Sequence, residues 1–311
     1  MKLAYTFSPV QPADHEPVAK LLHRSLVAWY EDHLRAGANF GTSHEPFLLF
    51  PEVYESLDPG EAIAARGEGG EMLGVCFIHP RQTHVSIGIV ATAPEAAGSG
   101  IARAMMEAAI ARANEAGKPV RLISSLLNLD SFSLYSRLGF VPHAMYQDMC
   151  LEVPEGGMTA PAPAGADRVR RARSDEAARL ADFEHGLQGI RRQRDYEFFL
   201  RNEVGAWDVL VLDGANGELE GFLVCSQHPS LNILGPGVAR DEAGATALLW
   251  RALDAQPGRK LVFLLPCAAA GLVRTAYSWK ARNIELHAAQ ILGPVPQARG
   301  VVFATYLPES A

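Results

Sequence analysis

A segment rich in proline, glycine and alanine divides this chain of 311 residues into two halves of nearly equal length. The segment, residues 154–166, has no apolar periodicity and is typical of a linker that its prolines partly stiffen. A chain of this length is long for one domain and comfortable for two. We therefore predict a first domain at residues 1–153, a linker at residues 154–166 and a second domain at residues 167–311.

The two halves share one order of predicted elements. Each opens with a short strand and a turn that contains an aspartate, Asp14 or Asp175, which is a natural N-cap for the helix that follows. Each half then shows a hairpin, another strand, a second helix and a further strand, as the apolar runs and their turn residues indicate. Two mixed α/β domains of one plan are the simplest interpretation.

The composition excludes several classes of protein. The formal net charge is −7, so no overall positive field draws the chain to nucleic acid or to an anionic membrane. The longest uninterrupted apolar run, residues 261–273, is too short to span a bilayer, and the N-terminus lacks the apolar core of a signal peptide. The cysteines lie far apart and match neither a disulfide framework nor metal-ligand spacing. We expect a cytoplasmic protein without a metal, a nucleic-acid partner or a membrane partner.

Two groups of arginines are local exceptions to the acidic balance. Arg168, Arg170, Arg171 and Arg173 lie within six residues of one another, and Arg191, Arg192 and Arg194 form a second group. Charge runs of this kind are most often solvated, and we predict an edge strand for the first group and an exposed helix face for the second.

Gly98 and Gly100 follow an apolar strand and precede a helix predicted at residues 101–115. The first turn of a helix leaves N–H groups without partners, and glycines let a pyrophosphate approach the backbone closely. The loop therefore indicates an anion site, although a tight strand-to-helix turn without a ligand would show the same pattern. No Gly-Lys-Ser/Thr follows, and the third glycine of the dinucleotide fingerprint is missing, so the common nucleotide loops are excluded.

With the residues around it, this loop resembles motif A of the GNAT acetyltransferase superfamily, with residues 97–102 in the places of that motif. Residues 128–140 resemble motif B of the same superfamily and end in a Tyr-x-x-x-Gly-Phe pattern. The resemblance covers about residues 1–150. It implies two tandem α/β domains, each with a mixed, mostly antiparallel twisted sheet flanked by helices, and acetyl-CoA or CoA as the co-substrate. The residues expected to bind it are Ile89, Val90, Ala91, Ala97, Gly98, Ser99, Gly100, Ile101, Ala102, Asn128, Ser131 and Tyr135.

The resemblance makes Tyr135 the candidate general acid. Acyl transfer from a thioester releases a thiolate with a pKa of about 8.5, and a phenol with a pKa of about 10 can protonate it. A tyrosine that only packs its helix onto the sheet is the alternative. Asn128 is expected to fix the pantetheine arm or, equally, to cap the helix that contains Tyr135. The superfamily usually has arginine or glutamine where this chain has Ala97, so cofactor binding would depend on backbone N–H groups.

The attacking amine needs a base, and none is evident. Residues 72–94 contain no acid, which leaves His79, His84, Ser86 and Ser125 as the polar candidates. We expect a water relay helped by His84 or His79, with His84 and Ser125 as the candidate catalytic residues beside Tyr135. A histidine on a strand is also common as a satisfied surface residue.

The expected reaction is acyl transfer, with acetyl as the expected acyl group, to a primary amine of a small molecule or peptide. The loop at residues 37–47 would shape the acceptor pocket. The alternative function is a non-catalytic acyl-CoA-binding sensor or interaction protein. The chain would be a monomer with pseudo-dimeric tandem domains or a homodimer.

The second half is interpreted as a degenerate copy. Alignment of the halves places Gly244 on Gly98, but Thr246 on the second glycine and Leu248 on the small residue. These larger side chains would crowd a phosphate. Tyr277 would lie over Tyr135, without the Gly-Phe pair after it. The sequence therefore predicts one acyl-CoA site, in the first half.

Overall fold

The computed structural model describes residues 3–306 and 309–310, and these residues form two compact units. The first unit contains the described residues up to Pro80 together with Val85–Val120, and the second contains Arg81–His84 and the described residues from Arg121 onward. The division therefore lies at residue 120, and the segment predicted as a linker lies within the second unit. The domain boundaries predicted at residues 153 and 167 concern the two sequence repeats and not these compact units, and they remain a prediction.

The first unit has four strands in an antiparallel sheet, in the order β1-β2-β3-β4. Its strands are β1 (Tyr5–Pro9), β2 (Ile63–Gly67), β3 (Met72–Pro80) and β4 (Val85–Thr92), and its helices are α1 (His15–Leu34), α2 (Leu49–Leu57) and α3 (Ile101–Glu115). Helix α3 has the bounds that the sequence predicts. Its buried residues Ile101, Met105, Ala109 and Ala113 recur at helical spacing, which is why this stretch forms an amphipathic helix.

The second unit contains a larger mixed sheet, in the order β5-β12-β6-β11-β10-β9-β8-β7, with β13 also paired to β10. The strands are β5 (Val120–Ser125), β6 (Val141–Glu152), β7 (Val169–Arg171), β8 (Trp207–Asp213), β9 (Leu219–Ser226), β10 (Ile233–Ala239), β11 (Lys260–Pro266), β12 (Arg282–Leu292) and β13 (Val301–Phe303), with a separate short pair of β14 (Thr305–Tyr306) and β15 (Glu309–Ser310). The helices are α4 (Leu129–Arg137), α5 (Ala177–Gln188), α6 (Gln193–Arg201), α7 (Glu242–Asp254) and α8 (Ala270–Ser278). Strands β10 and β11 are parallel, whereas β6 pairs antiparallel with both β11 and β12.

The element bounds confirm an internal repeat. Helices α3 and α7 begin at Ile101 and Glu242, and α4 and α8 begin at Leu129 and Ala270, in both cases 141 residues apart. Strands β6 and β12 begin at Val141 and Arg282, again 141 residues apart. Strands β5 and β11, which lie between these helices, begin 140 residues apart, and a nearly constant spacing is what two copies of one plan would give.

The second unit contains a reciprocal exchange of strands between the repeats. Strand β12, the last long strand of the second repeat, lies between β5 and β6 of the first repeat. Strand β6 lies in turn between β12 and β11 of the second repeat, and its pairing with β11 runs from Tyr146↔Pro266 to Glu152↔Lys260. Each repeat thereby receives a strand from the other, and residues far apart in sequence become neighbours.

The core of the second unit reflects this exchange. Met149 and Leu151 of β6 lie in one buried cluster with Leu248 of α7, Phe263 of β11 and Leu272 of α8. Burial of large apolar side chains stabilises a fold by roughly 1.5–3 kcal/mol for each. The second repeat therefore completes its core with a strand from the first.

Several expectations need correction. Arg192 is buried, so the second arginine group is not solvated throughout, whereas Arg170 and Arg171 of the first group lie on the short edge strand β7 and pair with acids there. His84 lies in the turn before β4 and not in the strand. Helices α2 and α6 were not predicted.

The predicted linker is hydrogen-bonded to α7. The Met158 N–H donates to Asp254 Oδ1 (3.0 Å), and Trp250 Nε1 donates to the Ala160 carbonyl (3.1 Å). Within the described residues, no helix has the length and apolar character needed to cross a membrane.

Candidate functional site

The loop between β4 and α3 has the backbone that the sequence predicts for an anion site. Gly98 and Gly100 have φ angles of +73° and +90°, a region that residues with a side chain rarely adopt. A Cβ atom added at either glycine would meet no atom within 4 Å, so the space beside the backbone is open. The predicted binding residues Ile89, Val90 and Ala91 lie on β4, immediately before this loop.

The N-terminus of α3 offers free hydrogen-bond donors. Its N-cap is Gly100, no side chain caps it, and its first turn contains no acid. The loop before it is held in place because the Ser99 hydroxyl donates to the Ala96 carbonyl (2.6 Å). The first N–H groups of a helix, together with the helix dipole, favour an anion such as a pyrophosphate. Ala97 is exposed and adds no charge.

Helix α4 lies in the second unit and contains Tyr135. The Asn128 side chain caps this helix, because the Ser131 N–H donates to Asn128 Oδ1 (2.9 Å). This is the structural role that the sequence left open for Asn128. Tyr135 is 8% exposed, and its ring meets the ring of Phe140 edge-on with centroids 6.0 Å apart. The packing role is therefore present, and it does not prevent the phenol from acting as an acid.

Ser125 meets an acid that the sequence analysis missed. The Ser125 hydroxyl, at the end of β5, donates to Glu285 Oε2 (3.1 Å) on β12. Glu285 Oε1 lies 3.1 Å from His287 Nε2, and His287 Nδ1 lies 3.7 Å from Asp148 Oδ2 on β6. The four side chains form a chain of polar groups across three neighbouring strands. No local pattern could have predicted it, since Ser125 and Glu285 are 160 residues apart.

Burial controls protonation in this chain. Burial, with the nearby charge of Glu285, raises the pKa of Asp148 to about 8, and burial lowers the pKa of His287 to about 4. At neutral pH, Asp148 therefore retains its proton and His287 is uncharged. One ligand atom from each of Asp148, Glu285 and His287 lies within 4.8 Å of the others, as a metal site would require. However, the imidazole approaches the two carboxylates with opposite nitrogens, which disfavours a common metal centre.

His79 and His84, the other histidines predicted for the site, have partners outside this chain of polar groups. His79, on β3 of the first unit, is buried with its Nδ1 2.7 Å from Asp58 Oδ2, so an acid from outside residues 72–94 reaches that strand. His84 is buried in the second unit, with its Nδ1 3.1 Å from the Thr83 hydroxyl. Each histidine therefore has a local partner of its own.

The second repeat lacks the open loop of the first. Its helix α7 is capped by a carboxylate, since the Gly244 N–H donates to Asp241 Oδ1 (2.8 Å), and Glu242 lies in its first turn. The structure corrects the alignment of the halves: Gly244, Thr246 and Leu248 lie inside α7, and Asp241 corresponds to Gly100. By the same spacing Ala276, and not the exposed Tyr277, corresponds to Tyr135.

Strand β13 adds a second obstruction in the second repeat. It pairs with β10 through Gly237↔Phe303, Val238↔Val302 and Ala239↔Val301, beside the stretch where β10 no longer pairs with β11. The backbone groups of β10 are thereby used within the protein. Together with the carboxylate cap, this arrangement disfavours a bound phosphate.

Comparison with known proteins agrees with these features. Residues 23–140 match the sequence model of the Acetyltransferase (GNAT) family. A mycothiol acetyltransferase from Pseudarthrobacter chlorophenolicus is 39% identical over 91 residues, which cover 27% of this chain and 28% of that protein. The matched stretch is therefore less than a third of the relative's length.

Three solved structures share the fold over nearly the whole chain. A protein from Pyrococcus horikoshii provisionally described as an acetyltransferase has a TM-score of 0.74 at 16% identity, covering 97% of this chain and 93% of its own. A GCN5-related N-acetyltransferase from Sphaerobacter thermophilus has a TM-score of 0.63 at 15% identity, covering 95% and 96%. A tandem GNAT protein from the clavulanic acid biosynthesis pathway has a TM-score of 0.60 at 16% identity, covering 94% and 99%. Residues 23–140 therefore match the Acetyltransferase (GNAT) family, and the chain as a whole shares the fold of these three structures.

Proposed function

We propose that the protein is an acetyl-CoA-dependent N-acetyltransferase that acts on a primary amine of a small molecule or peptide by direct transfer. One observation carries the proposal: the N-terminus of α3 is uncapped and follows two glycines whose surroundings are open. The match of residues 23–140 to an acetyltransferase family and the name of the mycothiol acetyltransferase relative support acetyl as the transferred group.

The loop at residues 97–102 would hold the pyrophosphate of the co-substrate on backbone N–H groups. A hydrogen bond to a charged group contributes roughly 1.5–3 kcal/mol, so three or four of them account for most of the affinity. Ala97 supplies no side-chain charge, and binding of the pyrophosphate therefore depends on the backbone geometry at Gly98 and Gly100. Ile89, Val90 and Ala91 of β4 would accept the pantetheine arm, as the family resemblance implies.

Tyr135 would act as the general acid. The amine nitrogen forms a bond to the thioester carbonyl carbon, the carbon–sulfur bond breaks, and the sulfur takes its proton from the phenol. Asn128 and Ser131 hold the start of α4 through the N-cap hydrogen bond and thereby position Tyr135.

Glu285 is the strongest candidate for the base. It accepts a hydrogen bond from Ser125, so a proton that arrives at Ser125 can pass to the Glu285 carboxylate, whereas Asp148 already holds a proton at neutral pH and His287 is a weak base. This role replaces the acid missing from residues 72–94. His84 stays a predicted helper whose ring is held beside Thr83.

The remaining proposals follow from the repeat. Residues 1–153 would contain the acyl-CoA site, and residues 167–311 would form a degenerate copy. The protein would be a monomer with pseudo-dimeric tandem domains or a homodimer. It would be located in the cytoplasm. The carboxylate cap of α7 supports the loss of the second site.

The test is thiol release from acetyl-CoA with a panel of amines, polyamines and peptides. We expect turnover that falls at least about a hundredfold in Tyr135→Phe, as loss of a general acid gives, and stays unchanged in the matched control Tyr277→Phe. Gly100→Val should abolish CoA binding, while Gly156→Val, at an exposed glycine with open surroundings, should not.

Two results would contradict the proposal. Tight CoA binding with no turnover on the whole panel would instead support an acyl-CoA sensor. Loss of CoA binding in Thr246→Val, inside α7, would place the co-substrate in the second repeat and not in the first.

A further inference from the structure

The second unit contains a cavity of about 770 Å³ that the acetyl transfer does not use. It lies against the end of α5, strand β6, the end of β11 and the segment at residues 295–302. Its volume is in the range of pockets that hold small organic ligands. The lining combines apolar residues with charged and polar ones at both its buried and its exposed parts, and the charges indicate what it could hold.

The buried part of the lining has an excess of positive charge. Arg192 is 2% exposed, and its Nε and Nη2 donate to Glu184 Oε2 (2.9 Å) and Oε1 (2.7 Å). Arg121, 5% exposed, lies near this pair, and burial lowers its pKa to about 10. Asp195 is also near Arg192 but forms its own ion pair with Arg81 at 2.5 Å. The buried side chains Arg81, Arg121 and Arg192 thus bring three guanidinium groups near two carboxylates, those of Glu184 and Asp195.

Two buried donors or acceptors in the same lining have no protein partner among the described residues. They are Nη1 of Arg192 and Nε2 of His143. A buried polar group without a partner costs roughly 1–3 kcal/mol, more if it is charged, so such groups commonly mark a ligand or ordered water. His143 is uncharged at neutral pH, because burial and the charge of Arg121 lower its pKa to about 4. It can therefore form a hydrogen bond there without adding charge.

The exposed part of the lining has the opposite balance. Asp241 and Glu242 lie beside a single arginine, Arg240, which stacks on the ring of Phe183 at 5.3 Å from its centroid. Both carboxylates already accept one backbone hydrogen bond, from Gly244 and Leu272. The cavity is thus positive at its buried part and negative at its exposed part.

We propose that this cavity binds a small zwitterion of the amino-acid or short-peptide class. The carboxylate of the ligand lies against Arg121 and Arg192, where it takes the free Nη1, and the ammonium lies towards Asp241 and Glu242. A ligand of this kind neutralises both ends of the cavity, which an anion or a cation alone cannot do. The site lies entirely within the second unit and is independent of the proposed acetyl transfer.

Isothermal titration calorimetry of the full chain without acetyl-CoA tests this. The probes are triglycine, triglycine amide, which lacks the carboxylate, and N-acetyltriglycine, which lacks the ammonium. We expect triglycine to bind and each blocked form to bind at least about tenfold more weakly, as loss of one charged hydrogen-bonded group gives.

Variants locate the two ends of the ligand. Arg121→Gln should weaken triglycine about tenfold and leave triglycine amide unchanged, and the control Arg251→Gln, on α7 outside the cavity, should change neither. Asp241→Asn keeps a good N-cap residue and should weaken triglycine but not N-acetyltriglycine. No heat with triglycine at about 10 mM, or equal affinity for the acid and the amide, would overturn the proposal. If the site fails while acetyl transfer succeeds, only the cavity assignment is lost.

Discussion

Asp148 should make the stability of the protein fall as the pH rises from about 6.5 to about 8, and Asp148→Asn should remove that effect. Its carboxyl lies on β6 and is 3% exposed, 3.7 Å from His287 Nδ1. Burial and the charge of Glu285 raise its pKa to about 8 from an ordinary value of 3.8. Between these two values the folded protein holds a proton that the unfolded chain has released.

The magnitude follows from proton linkage. Because the unfolded state binds fewer protons in this range, the free energy of unfolding decreases with pH, by at most about 1.4 kcal/mol for each pH unit. Between pH 6.5 and pH 8.0 the integrated loss for a pKa of about 8 is about 1.6 kcal/mol. His287 acts in the opposite sense, since its pKa is lowered to about 4 and its effect ends near pH 6.5. The difference between the wild type and Asp148→Asn isolates the carboxyl.

The assay is urea unfolding at several pH values, followed by tryptophan fluorescence. We expect the wild type to lose about 1.6 kcal/mol more than Asp148→Asn between pH 6.5 and pH 8.0. Asp182→Asn, at an exposed acid paired with Arg191, is the control and should keep the wild-type slope. Equal slopes for the wild type and Asp148→Asn would refute a protonated Asp148 and with it the order of protons in the chain to Ser125.

Three further changes should be visible by urea or thermal unfolding. Asn128→Ala removes the N-cap bond to Ser131 and should cost about 1 kcal/mol, with Asn128→Asp as the conservative control. Glu176→Gln should cost about 2 kcal/mol at pH 7, because the hydrogen bond from Arg170 holds the pKa of Glu176 at about 2; the cost should disappear as the pH falls from about 5 to 2, and a cost independent of pH would contradict it. Phe263→Ala opens the core cluster and should cost about 3–5 kcal/mol, whereas Phe263→Leu should cost far less.

The sequence predicts the parts of this fold that depend on local chemistry. Helix α3 has its predicted bounds because its apolar residues recur at helical spacing. Gly98 and Gly100 have the positive φ angles expected of a loop that must present its backbone. Asn128 caps α4 as a short polar side chain before a helix should. In each case the cause lies within a few residues of the effect.

Long-range pairing is what the sequence does not predict. The contact of Ser125 with Glu285 exists because β12 lies between β5 and β6, and no local pattern specifies which strand becomes a neighbour. The burial of Arg192 has a different origin, since its partners Glu184 and Tyr196 are only 8 and 4 residues away in sequence. An arginine in a charged run is usually solvated, yet here Glu184 of another helix and the Tyr196 ring enclose it.

The two repeats differ at the residue that precedes a helix, and this difference changes how well the helix N-terminus can accept an anion. Gly100 and Asp241 both precede the first residue of a helix, at the corresponding places in α3 and α7. At Gly100 the first N–H groups have no side-chain acceptor, whereas at Asp241 a carboxylate already accepts from Gly244 and brings a negative charge to the positive end of the dipole. The capped helix gains stability of about 1 kcal/mol from the same donors that would otherwise bind a phosphate. An internal cap and an external anion compete for one set of N–H groups, so the cap that stabilises the second repeat also disfavours a phosphate there.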